Sequence, residues 1–255
     1  MTRAVLATVA GVTDVEVAAA AARAAAGVLL ELRAGSATGP ALGDAGDAAA
    51  QRAIAAVLSH HRPDDVVFSE EAADDPKRST ADRVWIVDPL DGTREYGEPG
   101  RVDWAVHVAL WAAGELAAAA VALPGLDEVL LTDPAPVLPG TGGRAPRIAV
   151  SRTRPPDVAA AAAAAVGGDL VPLGSAGYKV TAVVRGEVDA YVHAGGQYQW
   201  DSAAPVAIAL AAGLSATRLD GSALRYNEPD PWLPDLLISR PELTADLLAA
   251  VRNSA

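Results

Sequence analysis

The chain has 255 residues, 51% of them hydrophobic, and carries a formal net charge of −12 at pH 7. This length and composition suffice for one enzyme-sized unit with one large core or two modest ones. The acidic balance argues against a nucleic-acid polymer as partner, because a phosphate backbone requires a basic footprint. The chain has no cysteine, which excludes disulfides, thiolate zinc sites and thiol nucleophiles and agrees with a reducing compartment.

The first ten residues are mostly apolar but lack a basic region followed by a long apolar run, and Asp14 and Glu16 come soon after them. This is unlike a secretory signal. Nowhere do about 18 apolar residues run without a charge, which argues against a membrane span. We therefore expect a cytoplasmic protein that does not bind membranes.

The first half of the chain is predicted to consist of helices packed on an antiparallel meander. A capping box over residues 13–16 begins a helix that ends at Arg33, just before Gly35. A second helix is expected over residues 44–61. Strands are predicted over residues 66–68, 84–87, 102–111, 116–123 and 129–132.

The second half alternates strands and helices in an α/β manner. Strands are predicted over residues 147–151, 170–173, 188–193 and 236–239, and helices over 157–166, 176–185, 200–212 and 241–253. The segment 134–146, rich in Pro and Gly, is the predicted boundary between two subdomains. We expect an N-terminal α+β subdomain over residues 1–135 and a C-terminal α/β subdomain over residues 145–255, forming one functional unit.

Several carboxylates stand where apolar strands end or helices begin. They are Asp47, Glu70, Asp88, Asp91 and Asp201. Such groups are suited to Mg²⁺, which prefers oxygen ligands. Two metal ions about 4 Å apart can neutralise a phosphoryl group, activate water and stabilise the leaving oxygen of a phosphate monoester. Bound cations would also explain how an acidic protein accepts an anionic substrate.

The run from Asp88 to Thr93 is the most specific of these places. Asp88 closes an apolar strand, Pro89 fixes the exit of the chain, and Gly92 permits a tight turn before Thr93. The two carboxylates of the run can share one site. An Asx-type turn after a strand would account for Asp-Gly, but not for the second Asp beside a fixed Pro.

Three motifs in this order resemble the inositol monophosphatase-like phosphatases. They are Ser69-Glu70-Glu71, the run Trp85-Ile86-Val87-Asp88-Pro89-Leu90-Asp91-Gly92-Thr93-Arg94-Glu95-Tyr96, and Trp200-Asp201-Ser202-Ala203-Ala204-Pro205. The resemblance covers the chain from about Asp47 onward. It implies an α/β (α+β) layered sandwich with alternating α-β-α-β-α layers and a Mg²⁺-dependent phosphomonoesterase.

Within this family the chain looks most like the 3′(2′),5′-bisphosphate nucleotidase branch, which converts 3′-phosphoadenosine 5′-phosphate to AMP. The supporting residues are Ser-Glu-Glu at 69–71, Thr-Arg-Glu-Tyr at 93–96 and Gly-Ser-Ala-Gly-Tyr-Lys at 174–179. Inositol phosphate and fructose 1,6-bisphosphate remain alternative substrates, because these activities share the same metal core. The resemblance further implies inhibition by Li⁺.

The resemblance assigns metal ligands by position. Glu70, Asp88 and the Leu90 carbonyl would hold one Mg²⁺, and Asp88, Asp91 and Asp201 would hold a second, so that Asp88 bridges. Asp201 also fits the N-terminal cap of the helix that follows, and the two roles are compatible.

Asp47 matches the position that the family associates with a third, looser metal. Asp44 competes with Asp47 for this role, and Asp47 is preferred by register. Thr93, with Asp47 and Glu70, would position and deprotonate the attacking water. The backbone N–H groups of Gly92 and Thr93 could cradle phosphate at a helix N-terminus.

Substrate contacts are predicted at five further residues. They are Arg94, Arg152, Gly174, Ser175 and Lys179. Lys179, one of two lysines in the chain, follows a Gly-containing turn and is predicted to contact the second phosphate of the substrate. Arg94 could pair with phosphate or with Glu95. The four histidines show no metal-ligand spacing and are given no catalytic role.

The sequence argues against two other classes of function. Aspartyl-phosphate phosphatases also have Asp-Gly-Thr after a strand, but they need another Asp two residues before that Asp. Here the residue two positions before Asp91 is Pro89. A non-catalytic nucleotide or metal sensor would not need every acid of the site together with Thr93. Homodimers are common in the family, so a homodimer is a further expectation.

Overall fold

A computed structural model describes residues 11–253, and these form seven α-helices and ten β-strands. The first ten residues, which bear on the expected lack of a signal segment, lie outside this range. Within it, no helix combines the length and the apolar character that crossing a membrane requires.

The helices are α1 (Asp14–Arg33), α2 (Pro40–His61), α3 (Thr93–Gly97), α4 (Val158–Ala165), α5 (Ala176–Val184), α6 (Gln199–Ala211) and α7 (Pro241–Arg252). The strands are β1 (Val66–Ser69), β2 (Arg83–Asp91), β3 (Ala105–Ala112), β4 (Glu115–Leu123), β5 (Glu128–Leu131), β6 (Arg147–Ser151), β7 (Asp169–Leu173), β8 (Ala190–Tyr198), β9 (Ser215–Thr217) and β10 (Trp232–Ser239).

The strands form two five-stranded sheets. The first has the order β1-β2-β3-β4-β5, in which only the β1–β2 pair is parallel. The second has the order β7-β6-β8-β10-β9, in which β7, β6 and β8 are parallel and β10 runs antiparallel to both of its neighbours. The predicted meander and the predicted α/β alternation therefore occupy separate sheets.

Three layers of helices enclose the two sheets. Helices α1 and α2 cover the outer face of the first sheet, α5 and α6 lie between the sheets, and α4 and α7 cover the outer face of the second. Along β2, Trp85 faces α1 and α2, whereas Ile86 faces α5 and α6. Both faces of the sheet are buried, which explains the continuous apolar run of this strand. The predicted α-β-α-β-α layering is confirmed.

Some element boundaries differ from the predictions. Helix α2 begins at Pro40, where proline occupies the first turn after Gly39, rather than at residue 44. Strand β3 begins at Ala105 rather than at residue 102. Helix α3 begins at Thr93, where a helix N-terminus was expected. The strand β9 was not predicted, because three residues are too few to display a hydrophobic period.

A buried ion-pair network ties the start of α1 to the first sheet. Asp14 is 4% exposed, and it accepts hydrogen bonds from Arg62 Nε at 2.8 Å and Arg83 Nη2 at 2.9 Å. We expect Asp14→Ala to lower the free energy of unfolding by about 3 kcal/mol, because it leaves a buried guanidinium without its partner. The melting temperature should fall by roughly 10 °C, as calorimetry can measure.

The control for this variant is Glu187→Ala. Glu187 pairs with Arg185 Nε at 2.9 Å, but its side chain is 46% exposed. Solvent-exposed pairs contribute less than about 1 kcal/mol. Equal losses of stability in the two variants would contradict the importance given to burial in the Asp14 network.

Candidate active site

An irregularity at the end of β2 places two carboxylates together. Asp88 is paired with His107 of β3 and Asp91 with Ala105, and the register shifts between the two pairs. Pro89 has no N–H group, so the regular ladder cannot continue through it. Asp88 Oδ1 accepts a hydrogen bond from the Leu90 N–H at 3.0 Å, which tightens the bulge. Both carboxylates consequently face one position.

Gly92 lets the chain turn immediately after this bulge. Its φ is +87°, in the left-handed region. A Cβ atom here would lie 3.0 Å from Ser175 Cβ and 3.3 Å from the carbonyl oxygen of Asp103. Only glycine therefore permits both this turn and the close approach of the second half of the chain. Thr93 then begins α3, and its Oγ1 donates to the Leu90 carbonyl at 3.1 Å.

The N-terminus of α5 closes onto Asp91. The carboxylate accepts hydrogen bonds from Ser175 Oγ at 2.5 Å, the Ala176 N–H at 3.1 Å and the Gly177 N–H at 2.5 Å. The Gly174 N–H donates to Asp103 Oδ2 at 2.6 Å. The two predicted residues Gly174 and Ser175 thus lie at the site, where they hold carboxylates of the first half of the chain.

His107, which was given no catalytic role from the sequence, also lies in this cluster. The ring is fully buried, with Nε2 3.3 Å from Asp91 Oδ2 and Nδ1 3.8 Å from Asp88 Oδ2. Ligand atoms of the three side chains fall within 4.8 Å of one another. Nδ1 lies 3.2 Å from the Trp200 carbonyl, which can accept a hydrogen bond from it.

His107 was missed because its partner is set by strand register. A histidine in the middle of an apolar strand shows no spacing relation to Asp88 or Asp91 in the sequence. The sequence feature that reflects this position of His107 is Gly177, where a Cβ atom would lie 1.9 Å from His107 Nε2. That glycine is needed because α5 packs directly on the imidazole.

Glu70, an exposed residue directly after β1, and Asp201 of α6 bring further negative charge to the same place. Burial, and then the charges of Asp91, Glu70 and Asp201, raise the pKa of Asp88 well above its usual range. Burial and the neighbouring carboxylates likewise raise the pKa of Glu70 to about 7 and that of Asp201 to about 8. Such mutual repulsion would be relieved by a divalent cation bound among these acids.

Asp201 occupies the third position of α6, whereas the sequence predicted it at the N-cap, which is Tyr198. Its Oδ2 accepts a hydrogen bond from the Tyr198 N–H at 2.6 Å, within a capping box. One carboxylate thus fixes the first turn of α6 and contributes to the acidic cluster.

Asp47 and Asp44 differ in environment. Asp47 is buried on α2, and burial followed by the charges of Glu71 and Asp44 raises its pKa to about 7, with Thr93 acting in the opposite direction. Asp44 is exposed. Only Asp47 is therefore enclosed next to Thr93.

Two carboxylates of the acidic cluster, Asp91 and Asp201, form part of the wall of a cavity of about 390 Å³. Arg94 is exposed at this cavity and forms no ion pair with Glu95; Glu95 instead accepts from Arg152 Nε at 2.6 Å. Arg152 Nη2 also donates to Glu98 at 2.6 Å, so its charge is compensated within the protein.

Lys179 lines the cavity but is only 4% exposed. Its ammonium group donates to the carbonyl oxygens of Gly174 and Ser175, and burial lowers its pKa to about 8. An ammonium group has three protons. The predicted contact with a substrate phosphate therefore depends on the one proton that these two carbonyl groups leave free.

Comparisons with known proteins agree with the three sequence motifs. The sequence model of the inositol monophosphatase family matches residues 11–133 and 145–255. A protein of Mycobacterium bovis named 3′-phosphoadenosine 5′-phosphate phosphatase is 51% identical over 226 residues, covering 84% of this chain and 83% of that protein. A protein of Mycobacterium leprae with the same name is 49% identical over 255 residues, covering 94% of each.

The fold is also similar to that of solved structures. The crystal structure of CysQ from Bacteroides thetaiotaomicron, described as a bacterial member of the inositol monophosphatase family, superposes with a TM-score of 0.79. It is 23% identical and covers 89% of this chain and 97% of that one. This likeness concerns the fold alone.

Proposed function

This chain belongs to the inositol monophosphatase family, a family of metal-dependent phosphatases, and on that premise we propose that it removes the 3′-phosphate of 3′-phosphoadenosine 5′-phosphate and leaves AMP. The observation that carries this proposal is the close grouping of carboxylates from the end of β1, from β2 and from α6, of which Asp91 and Asp201 line the cavity. The mycobacterial relatives, about half identical over most of the chain, support the substrate.

The donor set fits divalent cations. Asp47 Oδ1 and Asp88 Oδ2 are buried, and neither has a hydrogen-bond partner within residues 11–253. The convergent ligands are almost all oxygen atoms, which favours Mg²⁺ over softer metals. We assign Glu70, Asp88 and the Leu90 carbonyl to one Mg²⁺.

The second Mg²⁺ is assigned to Asp88, Asp91 and Asp201, with Asp47 beside a third, looser position. When bound, the ions supply positive charge to the phosphoryl oxygens and make a water molecule more acidic. The α5 N-terminus orients the Asp91 carboxylate through the Ser175 hydroxyl. The hydrogen bond of His107 to the Trp200 carbonyl holds α6 against the same cluster.

Proton transfer is assigned to Glu70 and Asp47. With cations bound, these carboxylates are ionised and can accept a proton from the attacking water. Thr93 Oγ1, fixed by the Leu90 carbonyl, orients that water. We assign the N–H groups of Gly92 and Thr93 and the exposed Arg94, all of which line the cavity, to contacts with the phosphate of the substrate.

Replacement of Lys179 separates a positioning role from a substrate contact. We expect Lys179→Met to lower kcat about tenfold on both 3′-phosphoadenosine 5′-phosphate and inositol 1-phosphate. The ammonium group fastens the 174–175 turn, and Ser175 of that turn orients Asp91. Steady-state kinetics on the two substrates would measure it. A loss confined to the bisphosphate would instead establish a direct contact with the second phosphate.

The proposed function is tested by comparing substrates. Phosphate release should be measured with Mg²⁺ on 3′-phosphoadenosine 5′-phosphate, inositol 1-phosphate and fructose 1,6-bisphosphate. We expect the nucleotide to have a kcat/KM at least about tenfold above the other two. A higher kcat/KM on either of the other substrates would refute the nucleotide assignment, and release from none would favour a sensor.

A further inference from the structure

Two aromatic side chains at the cavity are unusually exposed. Tyr198 is 42% exposed and Trp232 is 46% exposed, and both line the cavity that contains Asp91 and Asp201. Within residues 11–253 they are the only two aromatic residues among the exposed large hydrophobic side chains. Since aromatic side chains gain much stability from burial, their joint exposure at one cavity calls for a functional reason.

The two rings are held in place by the fold. Tyr198 ends β8 and Trp232 begins β10, and the two residues are directly paired across the antiparallel strands. Their ring centroids are 5.5 Å apart at 81°. The Tyr198 ring also stacks on Trp200 at 4.8 Å and 18°. A Cβ atom at Gly196 would lie 1.7 Å from the Trp232 ring, so this indole packs directly on the backbone of β8.

The rings are coupled to the acidic cluster through the backbone. The Tyr198 N–H donates to Asp201 Oδ2 at 2.6 Å, so the tyrosine begins the helical turn that carries this carboxylate. The cavity thus has carboxylates that suit cations at one wall and a rigid aromatic surface at another. A ligand that places a phosphate at the first wall can lay an attached ring on the second.

We propose that Tyr198 and Trp232 form a platform on which the base of a nucleoside 3′-phosphate stacks. The proposal rests on the proposed function and names the part of the substrate that the aromatic wall recognises. Stacking on aromatic side chains tolerates any base, because every base has a π face, and it strengthens binding by about tenfold to a hundredfold per base. Inositol phosphates and sugar phosphates have no such ring. The platform therefore selects nucleotides over the other phosphate monoesters of this cavity.

The test uses the full chain with Tyr198→Ala and Trp232→Ala. The variants Tyr198→Phe and Trp232→Phe keep an aromatic face, and Leu210→Ala, at a 51% exposed leucine that does not line this cavity, is the control. Each alanine variant should raise the KM for 3′-phosphoadenosine 5′-phosphate about tenfold with kcat within twofold. The kcat/KM for inositol 1-phosphate should stay within twofold, and the phenylalanine variants should retain most of the nucleotide affinity.

A second measurement does not depend on turnover. The dissociation constant of AMP, obtained by equilibrium dialysis, should rise about tenfold in both alanine variants and stay unchanged in Leu210→Ala. Unchanged AMP and bisphosphate binding in the alanine variants, with wild type still preferring the nucleotide, would overturn the platform alone. A loss of kcat/KM on inositol 1-phosphate as large as that on the bisphosphate would also overturn the platform. A wild-type preference for inositol 1-phosphate would overturn the proposed function itself.

Discussion

Asp88→Asn should reduce phosphate release by at least about a thousandfold while raising the melting temperature of the cation-free protein. Asp88 is 1% exposed and has the charges of Asp91, Glu70 and Asp201 around it. Asparagine keeps the shape of the side chain but removes a charge that the bound cations need, and several kcal/mol of transition-state stabilisation depend on those cations.

The gain in stability has a separate cause. Without cations, the clustered carboxylates repel one another in a buried place, so removing one charge should raise the melting temperature by roughly 5 °C. Kinetics with Mg²⁺ and calorimetry in EDTA measure the two effects.

The matched control is the same substitution at Asp65. Asp65 accepts hydrogen bonds from Arg83 Nε at 2.9 Å and Trp85 Nε1 at 2.8 Å. Asp65→Asn should keep kcat within twofold and should lower the melting temperature, because it breaks a favourable pair. A fully active Asp88→Asn variant, or one that is less stable than wild type in EDTA, would contradict the interpretation of the acidic cluster.

The second large effect is a loss of stability with rising pH in the absence of divalent cations. The pKa values of Glu70 and Asp47 are raised to about 7 and that of Asp201 to about 8, whereas unfolded carboxyl groups titrate near pH 4. Between about pH 4 and pH 8 the folded protein therefore holds more protons than the unfolded chain, so the free energy of unfolding decreases as the pH rises.

We expect the melting temperature in EDTA to be on the order of 10 °C lower at pH 8 than at pH 5. Saturating Mg²⁺ should remove most of this difference, because the cations stabilise the ionised carboxylates. The melting temperatures should be measured in 0.5 M salt, because salt at this concentration screens the repulsion of the net charge over the whole surface. In the Asp88→Asn variant, the melting temperature in EDTA should fall less steeply with pH. A melting temperature that increases from pH 5 to pH 8 in EDTA would be incompatible with the raised pKa values.

The chemistry at the end of β2 could be predicted because its determinants are local. Pro89 interrupts the ladder, Gly92 permits the left-handed turn, and the two Asp residues flank the bulge within four positions. The layered fold followed from the three motifs and was confirmed by the family match and the similar structures. The capping box at the start of α1 was likewise readable from four consecutive residues.

The contacts across the chain could not be predicted from the sequence. His107 reaches Asp88 through the register of β2 and β3, which depends on how the whole meander packs. The pairing of Arg152 with Glu95 and Glu98 joins residues more than 50 positions apart. Lys179 was expected at the surface of a phosphate subsite, yet burial directs its ammonium group to two backbone carbonyls. In each case tertiary packing selects one partner among several of suitable charge.

Removal and return of the cation decide whether the carboxylates around Asp88 act through bound metal ions. Phosphate release from 3′-phosphoadenosine 5′-phosphate should be followed in wild-type protein after dialysis against EDTA, and again after Mg²⁺ is added. We predict that release stops in EDTA and that Mg²⁺ restores it in full, with AMP as the nucleotide product. Undiminished release in EDTA would show that the carboxylates around Asp88 do not act through bound cations.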